Sequence, residues 1–351
     1  WPERPQLSDR VWNDELRGMP DELYPALATI LHADPWLSMP YKASDNYIRS
    51  FALLAKQTLN KNQTVYVEYS ADGWDRGRKA APYMAAQARR EWSRVTTNDY
   101  VNGLHWYGKH SVDVCDIWKD VFKDEPGRVK CAISGYLSYY YMNTEMLECS
   151  LWQTQGGRVC AKNLDVFAVA PYFGWFVGAN NRASMMSWMK ESDGGLNRFF
   201  TEAFVGGDLF RNTGENQWGI TAHSAGPVND VFEQIDQAKK MADKYGLELA
   251  AYEGGARFLA LDSNDTGIAE FFNLANREPR MGLVYEKYLQ GWKARGGRLF
   301  VHAADVQKSD RWGSYGLREY QDQPRAKAPK YDAFLKFAET TACWWNGCER
   351  K

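Results

Sequence analysis

Two acidic residues stand where apolar runs end. Leu247 to Gly255 reads LELAAYEGG, a run that stops at one carboxylate, Glu253, and a glycine pair. Apolar residues fill both of its faces, as a parallel strand covered by helices requires. A carboxylate at the C-terminal end of such a strand adds little to packing, and in an α/β barrel that end carries the chemistry. A second run, Thr64 to Ser70 (TVYVEYS), places Tyr66, Glu68, Ser70 and Asp72 on one side by alternation, with Asp72 just past the strand end. Two carboxylates at the tops of separate strands can cleave a glycosidic bond. One protonates the leaving oxygen, and the other attacks the anomeric carbon or activates water. The plainer alternatives are a turn-capping role for Asp72 and a salt bridge for Glu253. Glu68 lies deeper, where a buried acid needs a partner such as Arg or Tyr, and reads as structural support.

His105, Trp106, Tyr172, Trp175, Trp218, His302 and Trp312 fall at strand ends or in loops expected on the same face. As a group they have the composition of a saccharide cleft, since aromatic faces stack on weakly polar rings. His105 and His302 lack the HxxxH spacing of a metal site, so no metal is expected. No glycine-rich dinucleotide fingerprint, phosphate loop or Ser-His-Asp motif occurs, and no cofactor is expected.

The elements that would position these residues alternate. Strands are expected at Ala33 to Met39, Thr64 to Ser70, Val129 to Ser134, Asp165 to Pro171, Leu247 to Glu253 and Leu299 to Ala304. Between them lie helical patterns near 44–59, 81–92, 112–122, 143–152, 196–204, 228–245, 266–276 and 280–294, and 330–340 is the last helix. Residues 98–110 read as a loop rich in aromatics and His. The segment 172–195 is too long for a simple connection, and loops of that length are usually functional. Strand–helix alternation argues for a parallel sheet with crossover helices. The expected fold is a (β/α)8 barrel in three parts: 1–32 as a loop and helix leading in, 33–340 as the barrel, and 341–351 as a Cys-containing tail. Six strand–helix units are visible where a closed barrel needs eight. The first two strands are therefore expected upstream or from another segment.

The chain has 351 residues, a net charge of −1 and 15 Trp. That charge gives no reason to expect nucleic acid or an anionic membrane as partner, and no run of 18 apolar residues predicts a membrane span. Of six cysteines, Cys343 with Cys348 and Cys149 with Cys160 are plausible local pairs, leaving Cys115 and Cys131. An even count fits a secreted, disulfide-bonded protein, with buried thiols as the alternative. Sequons at Asn62 and Asn264 agree with secretion.

Four motifs carry a resemblance: Val67-Glu68-Tyr69-Ser70, Ala170-Pro171-Tyr172-Phe173-Gly174, Tyr252-Glu253-Gly254-Gly255, and Phe300-Val301-His302 with Trp312-Gly313-Ser314-Tyr315-Gly316. In this order they resemble the clan-A glycoside hydrolases, and more narrowly a group of large proteins described as glycosidase-like or cellulose-binding. The resemblance covers residues from about 33 to 340. It implies a retaining (β/α)8 enzyme with Thr64–Ser70 as its fourth strand and Leu247–Glu253 as its seventh. Glu253 would be the nucleophile and Asp72 the acid/base, on a β-linked polysaccharide. One departure matters. The family carries Asn-Glu where this chain has Ala71-Asp72, so a hydrogen bond to the sugar 2-hydroxyl is lost and the acid is one methylene short. A displacement of ~1 Å can cost roughly a hundredfold in rate. The alternative expectation is a weakened or inactive barrel kept as a carbohydrate-binding or extracellular structural protein.

Overall fold

The computed structural model describes residues 4–12, 18–207, 226–260, 266–345 and 348. Its strands, in chain order, are β1 (Trp36–Met39), β2 (Val65–Tyr69), β3 (Val129–Ser134), β4 (Val166–Val169), β5 (Tyr172–Phe173), β6 (Glu248–Ala251), β7 (Gly255–Ala256), β8 (Ala304–Val306) and β9 (Gly316–Arg318). Five of them form one sheet in the order β1-β2-β3-β4-β6, and two short parallel pairs, β5-β7 and β8-β9, stand apart from it. The fold is mixed α/β with a five-stranded parallel sheet. Val65, Val67, Ile133, Val166, Phe167 and Leu249 are all buried, as strands covered on both faces require.

The chain divides into two units, Trp1–Ala168 with Met241–Glu248, and Val169–Lys240 with Leu249–Glu349. In the first, registers are parallel throughout: Ser38 opposite Glu68, Glu68 opposite Ala132, and Ser134 opposite Ala168. Fully buried Tyr69, Tyr107, Trp118 and Phe122 fill its core. The helix Asp45–Thr58 begins where Ser44 accepts a hydrogen bond from the Tyr47 amide, the N-cap its sequence announces.

The helix Asp99–Val121 is longer than expected and absorbs the segment 98–110 read as a loop. Asn98 caps it by accepting from the amides of Tyr100 and Val101. Gly103 and Gly108 are there for close packing. A Cβ on Gly108 would stand 2.0 Å from the Met146 carbonyl oxygen.

In the second unit, Tyr285, Tyr288, Trp292, Phe173 and Phe199 are buried in a dense ring cluster, with Phe173 and Tyr288 4.8 Å apart between centroids. The expected strand at 299–304 is reduced to a single parallel bridge, Ala251 with Phe300. Hydrogen bonds still tie the segment to the chain of β6, from Arg298 to Leu249, Ala251 to Leu299, Val301 to Ala251 and Ala303 to Gly254, and the His302 side chain bonds Ala304.

Two disulfides form, Cys115–Cys131 and Cys149–Cys160. The second is one of the two expected local pairs. The other is corrected: Cys343 carries an exposed free thiol, so no bond to Cys348 closes the tail. Among the described residues no helix is long and apolar enough to cross a membrane.

Candidate functional site

Each unit carries a cluster of candidate residues. In the second, the chain leaves β6, and Tyr252-Glu253-Gly254 turns it into β7. The motifs around Tyr172 and Glu253 are joined here, because β5 and β7 pair in parallel with Tyr172 opposite Gly255. The Tyr172 hydroxyl hydrogen-bonds the Glu253 carboxylate. Burial first, and the Glu253 charge second, push that phenol far above its usual range, so it stays a donor.

The glycines after Glu253 are required. Gly255 sits at φ +132°, and a Cβ there would meet His302 Nε2 at 2.6 Å and the Tyr285 hydroxyl at 3.0 Å. Those two groups form a clamp behind the turn. The Tyr285 hydroxyl accepts from the Ala256 amide at 3.0 Å and donates to His302 Nε2 at 3.0 Å. His302 Nδ1 lies 3.0 Å from the Ala304 carbonyl oxygen, which can only accept, so the ring proton is on Nδ1. Burial, then the Lys330 charge, pushes His302 down to about 3, and the ring is neutral. Expected as a cleft wall, His302 instead has both nitrogens committed to holding the turn. The Tyr288 hydroxyl donates to the Pro171 carbonyl at 2.5 Å, fixing the approach to β5.

Tyr172 and half-exposed Tyr315 meet edge to face at 5.6 Å. Trp312 is 53% exposed, the openness that a stacking platform needs. Trp175 opens the helix Trp175–Asn180 directly after β5 and is half-buried. Trp218 and the sequon Asn264 lie outside the described residues. Asn62 is exposed in the turn before β2.

In the first unit, Glu68 points into the interior at 2% exposure. Its Oε2 accepts from Trp36 Nε1 at 3.0 Å and from Ser38 Oγ at 3.2 Å, while Oε1 has no hydrogen-bond partner among the described residues. Trp36 and Ser38 are its donors, and the buried Tyr107 lies near enough to feel its charge. Burial pushes Glu68 up to about 7 against the lowering effect of its hydrogen bonds.

Asp72 is buried and accepts a hydrogen bond from Arg78, a half-exposed guanidinium six residues on. Ser70 at φ +59° and Asp72 at φ +51° both occupy the left-handed region. For residues other than glycine that costs on the order of 1–3 kcal/mol each, and such strain clusters at functional sites. Around this turn Trp74 packs on Tyr136 at 4.3 Å, and the Arg76 guanidinium lies 4.4 Å over Tyr100.

His105 and Trp106 are corrected. Both are buried in the helix Asp99–Val121, at 2% and 3% exposure, and face the protein interior. His105 Nε2 lies 2.8 Å from Glu145 Oε2 on the helix Tyr140–Glu148, while burial lowers its pKa. Trp106 stacks on His110 at 4.5 Å. Cys115, Cys131 and Asp165 come together, but the two sulfurs are bonded to each other and offer no thiolate to a metal.

Sequence reasoning passed over Arg257 and quoted Tyr315 only as part of a motif, not as a site residue. Arg257 follows β7, and its guanidinium is 5.6 Å from the centroid of Tyr172. A cation two residues past a glycine pair is the only sequence signal that marked it.

No protein-family model matches the chain, and no curated protein is similar to it in sequence. Among solved structures, it is similar to a GH51 arabinofuranosidase from Xanthomonas axonopodis pv. citri at 12% identity and a TM-score of 0.41, over 90% of this chain and 53% of that one. The chain thus spans about half the length of that arabinofuranosidase. A fungal β-1,4-galactanase matches at 12% identity and a TM-score of 0.28, over 83% of each chain. An endo-1,4-β-D-mannanase from Thermotoga petrophila matches at 10% identity and 0.21, over 92% of this chain and 96% of that one. Scores this low assign neither fold nor activity; the fold stated above rests on the strand registers.

Proposed function

We propose that this protein is a secreted glycosidase-like α/β protein of the clan-A type that acts on a β-linked polysaccharide. The observation that carries the reading is Glu253. It stands just beyond a buried parallel strand, receives a hydrogen bond from Tyr172, and is displayed by a turn that only glycine can make. In a retaining mechanism the Glu253 carboxylate attacks the anomeric carbon, and the bond to the leaving oxygen breaks as a second carboxyl protonates it. Water then cleaves the glycosyl ester, giving its proton back to that second group. Asp72 is the residue proposed for the second role. Two buried disulfides fit an oxidising compartment.

A second reading is favoured by one observation. Arg78 already occupies a carboxylate oxygen of Asp72, and the neighbouring Ala71 offers no hydrogen bond to a sugar hydroxyl. On that reading the protein binds carbohydrate without turning it over. The test is release of reducing ends from β-glucans, xylans, mannans and galactans by the wild type, Glu253→Gln, and the double change Ala71→Asn with Asp72→Glu. Loss of turnover in Glu253→Gln supports the nucleophile. A gain from the double change identifies a weakened acid/base. Turnover that survives Glu253→Gln removes Glu253 from the mechanism, and binding without turnover in every form leaves the second reading.

A further inference from the structure

Several arginines of the second unit end on an acid, and two of the described ones do not. Arg277 ends on Glu319, Arg280 on Glu278, Arg295 on Asp236, Arg318 on Asp305, and Arg325 on Asp332 and Glu339. Arg257 and Arg311 form no ion pair among the described residues; each guanidinium rests on an aromatic ring instead, Arg257 at 5.6 Å over Tyr172 and Arg311 at 4.4 Å over Trp312. A guanidinium seated on a ring face keeps its edge N–H donors available, in a planar fork that fits a carboxylate or a sulfate.

Arg257 is also exposed and well anchored at its root. Its amide donates to the Phe173 carbonyl at 2.8 Å, extending the β5–β7 pairing, so the side chain starts from a fixed point two residues past the Gly254-Gly255 pair. The ring beneath it belongs to Tyr172, whose hydroxyl bonds Glu253. A neutral sugar needs ring faces and hydroxyl partners, which Tyr172, Tyr315 and Trp312 supply. A cation with no acid of its own at the edge of that cluster is more than a neutral sugar needs. General surface charge does not explain it either, since the chain as a whole carries −1.

We propose that Arg257 is a specificity residue for an acidic polysaccharide, receiving the carboxylate or sulfate of a sugar unit bound beside Glu253. The inference rests on the reading of Glu253 as the centre of a carbohydrate site and narrows its substrate class to anionic glycans.

Calorimetric titration of the whole chain with three probes tests it: an oligogalacturonate, a sulfated galactan oligosaccharide, and a neutral galactan oligosaccharide of matched length. The wild type is expected to prefer one of the charged probes, and that binding weakens as salt rises. Which probe is preferred tells carboxylate from sulfate. Arg257→Gln is expected to weaken the preferred probe by roughly tenfold to a hundredfold, the worth of one charge-assisted hydrogen bond, and to leave the neutral probe unchanged. Arg257→Lys recovers part of the loss, because it restores the charge without the fork. Equal affinity for charged and neutral probes, or an equal loss on both in Arg257→Gln, overturns the inference while leaving the carbohydrate reading standing. Binding of none of the three overturns the carbohydrate reading itself, and the inference with it. Matching melting curves for wild type and Arg257→Gln separate a binding effect from misfolding.

Discussion

Replacing Glu68 by Gln should make the protein more stable at neutral pH and leave it unchanged in acid. Glu68 is fully buried, and burial raises it from 4.5 to about 7. A raised acid binds its proton more readily in the folded chain than in the unfolded one. The group therefore costs nothing below about 4.5, and its cost grows as pH rises toward 7 and stays constant above. A shift of that size corresponds to about 3 kcal/mol at pH 8, at 1.36 kcal/mol per pH unit. Gln copies the protonated acid: its carbonyl can keep the bonds from Trp36 and Ser38, and its amide stands where the unpartnered Oε1 now is. The expected result is a stability difference between Glu68→Gln and wild type near zero at pH 4, opening to about 3 kcal/mol in favour of Gln at pH 8. Urea unfolding followed by tryptophan fluorescence at half-unit pH intervals measures it, and taking the difference cancels the titrating groups that do not interact with Glu68. A difference that is flat from pH 4 to 8, or one that favours Glu as pH rises, would refute the reasoning. It would mean that the charged carboxylate is solvated or paired.

Three further outcomes follow from particular contacts. Gly255→Ala must place a Cβ 2.6 Å from His302 Nε2 at a positive φ, so a loss of about 1–3 kcal/mol in stability, with a fall in any activity that depends on Glu253, is expected in melting and turnover assays. Replacing Cys115 and Cys131 together by Ala removes a cross-link spanning 16 residues and should cost about 3 kcal/mol by loop-closure entropy, measured by urea unfolding. Lys330 is fully buried and held at about 7, with its Nζ donating to the Ser314 carbonyl at 2.6 Å. A base lowered in this way penalises the folded state below pH 7 and less so toward 10.5, so Lys330→Met should gain stability over wild type at pH 6 and lose that advantage by pH 10.

The sheet was legible because Val, Ile, Leu and Ala fill its strands on both faces; Val129 to Ser134 matches the observed β3 residue for residue. The helix Asp99–Val121 was half missed for an equally physical cause. Its first three turns carry Gly103 and Gly108, a residue type that helix propensity disfavours, yet they are there because neighbouring helices press close. His105 and His302 read as walls of a saccharide cleft because a histidine in sequence carries no sign of its partner. Glu145 and Tyr285 with Ala304, which are remote or unremarkable in sequence, decide their roles. Glu253 was legible from its strand. Arg257 was not, since its lack of an acid partner is a property of three-dimensional neighbours alone.

The placement of Glu253 depends on a helix with no chemistry of its own. Tyr285 and Tyr288 lie three residues apart on the helix Pro279–Ala294 and therefore share a face. Both rings are buried, and a buried phenol must find a partner for its hydroxyl. Tyr285 finds the Ala256 amide and His302; Tyr288 finds the Pro171 carbonyl. One helical face thus grips the chain just after Glu253 and just before Tyr172, the two residues whose hydrogen bond defines the cluster. The strand sets the height at which Glu253 emerges and the glycine pair allows it to turn. The two tyrosines hold that turn against β5, so the backbone that carries Glu253 is oriented by side chains behind it.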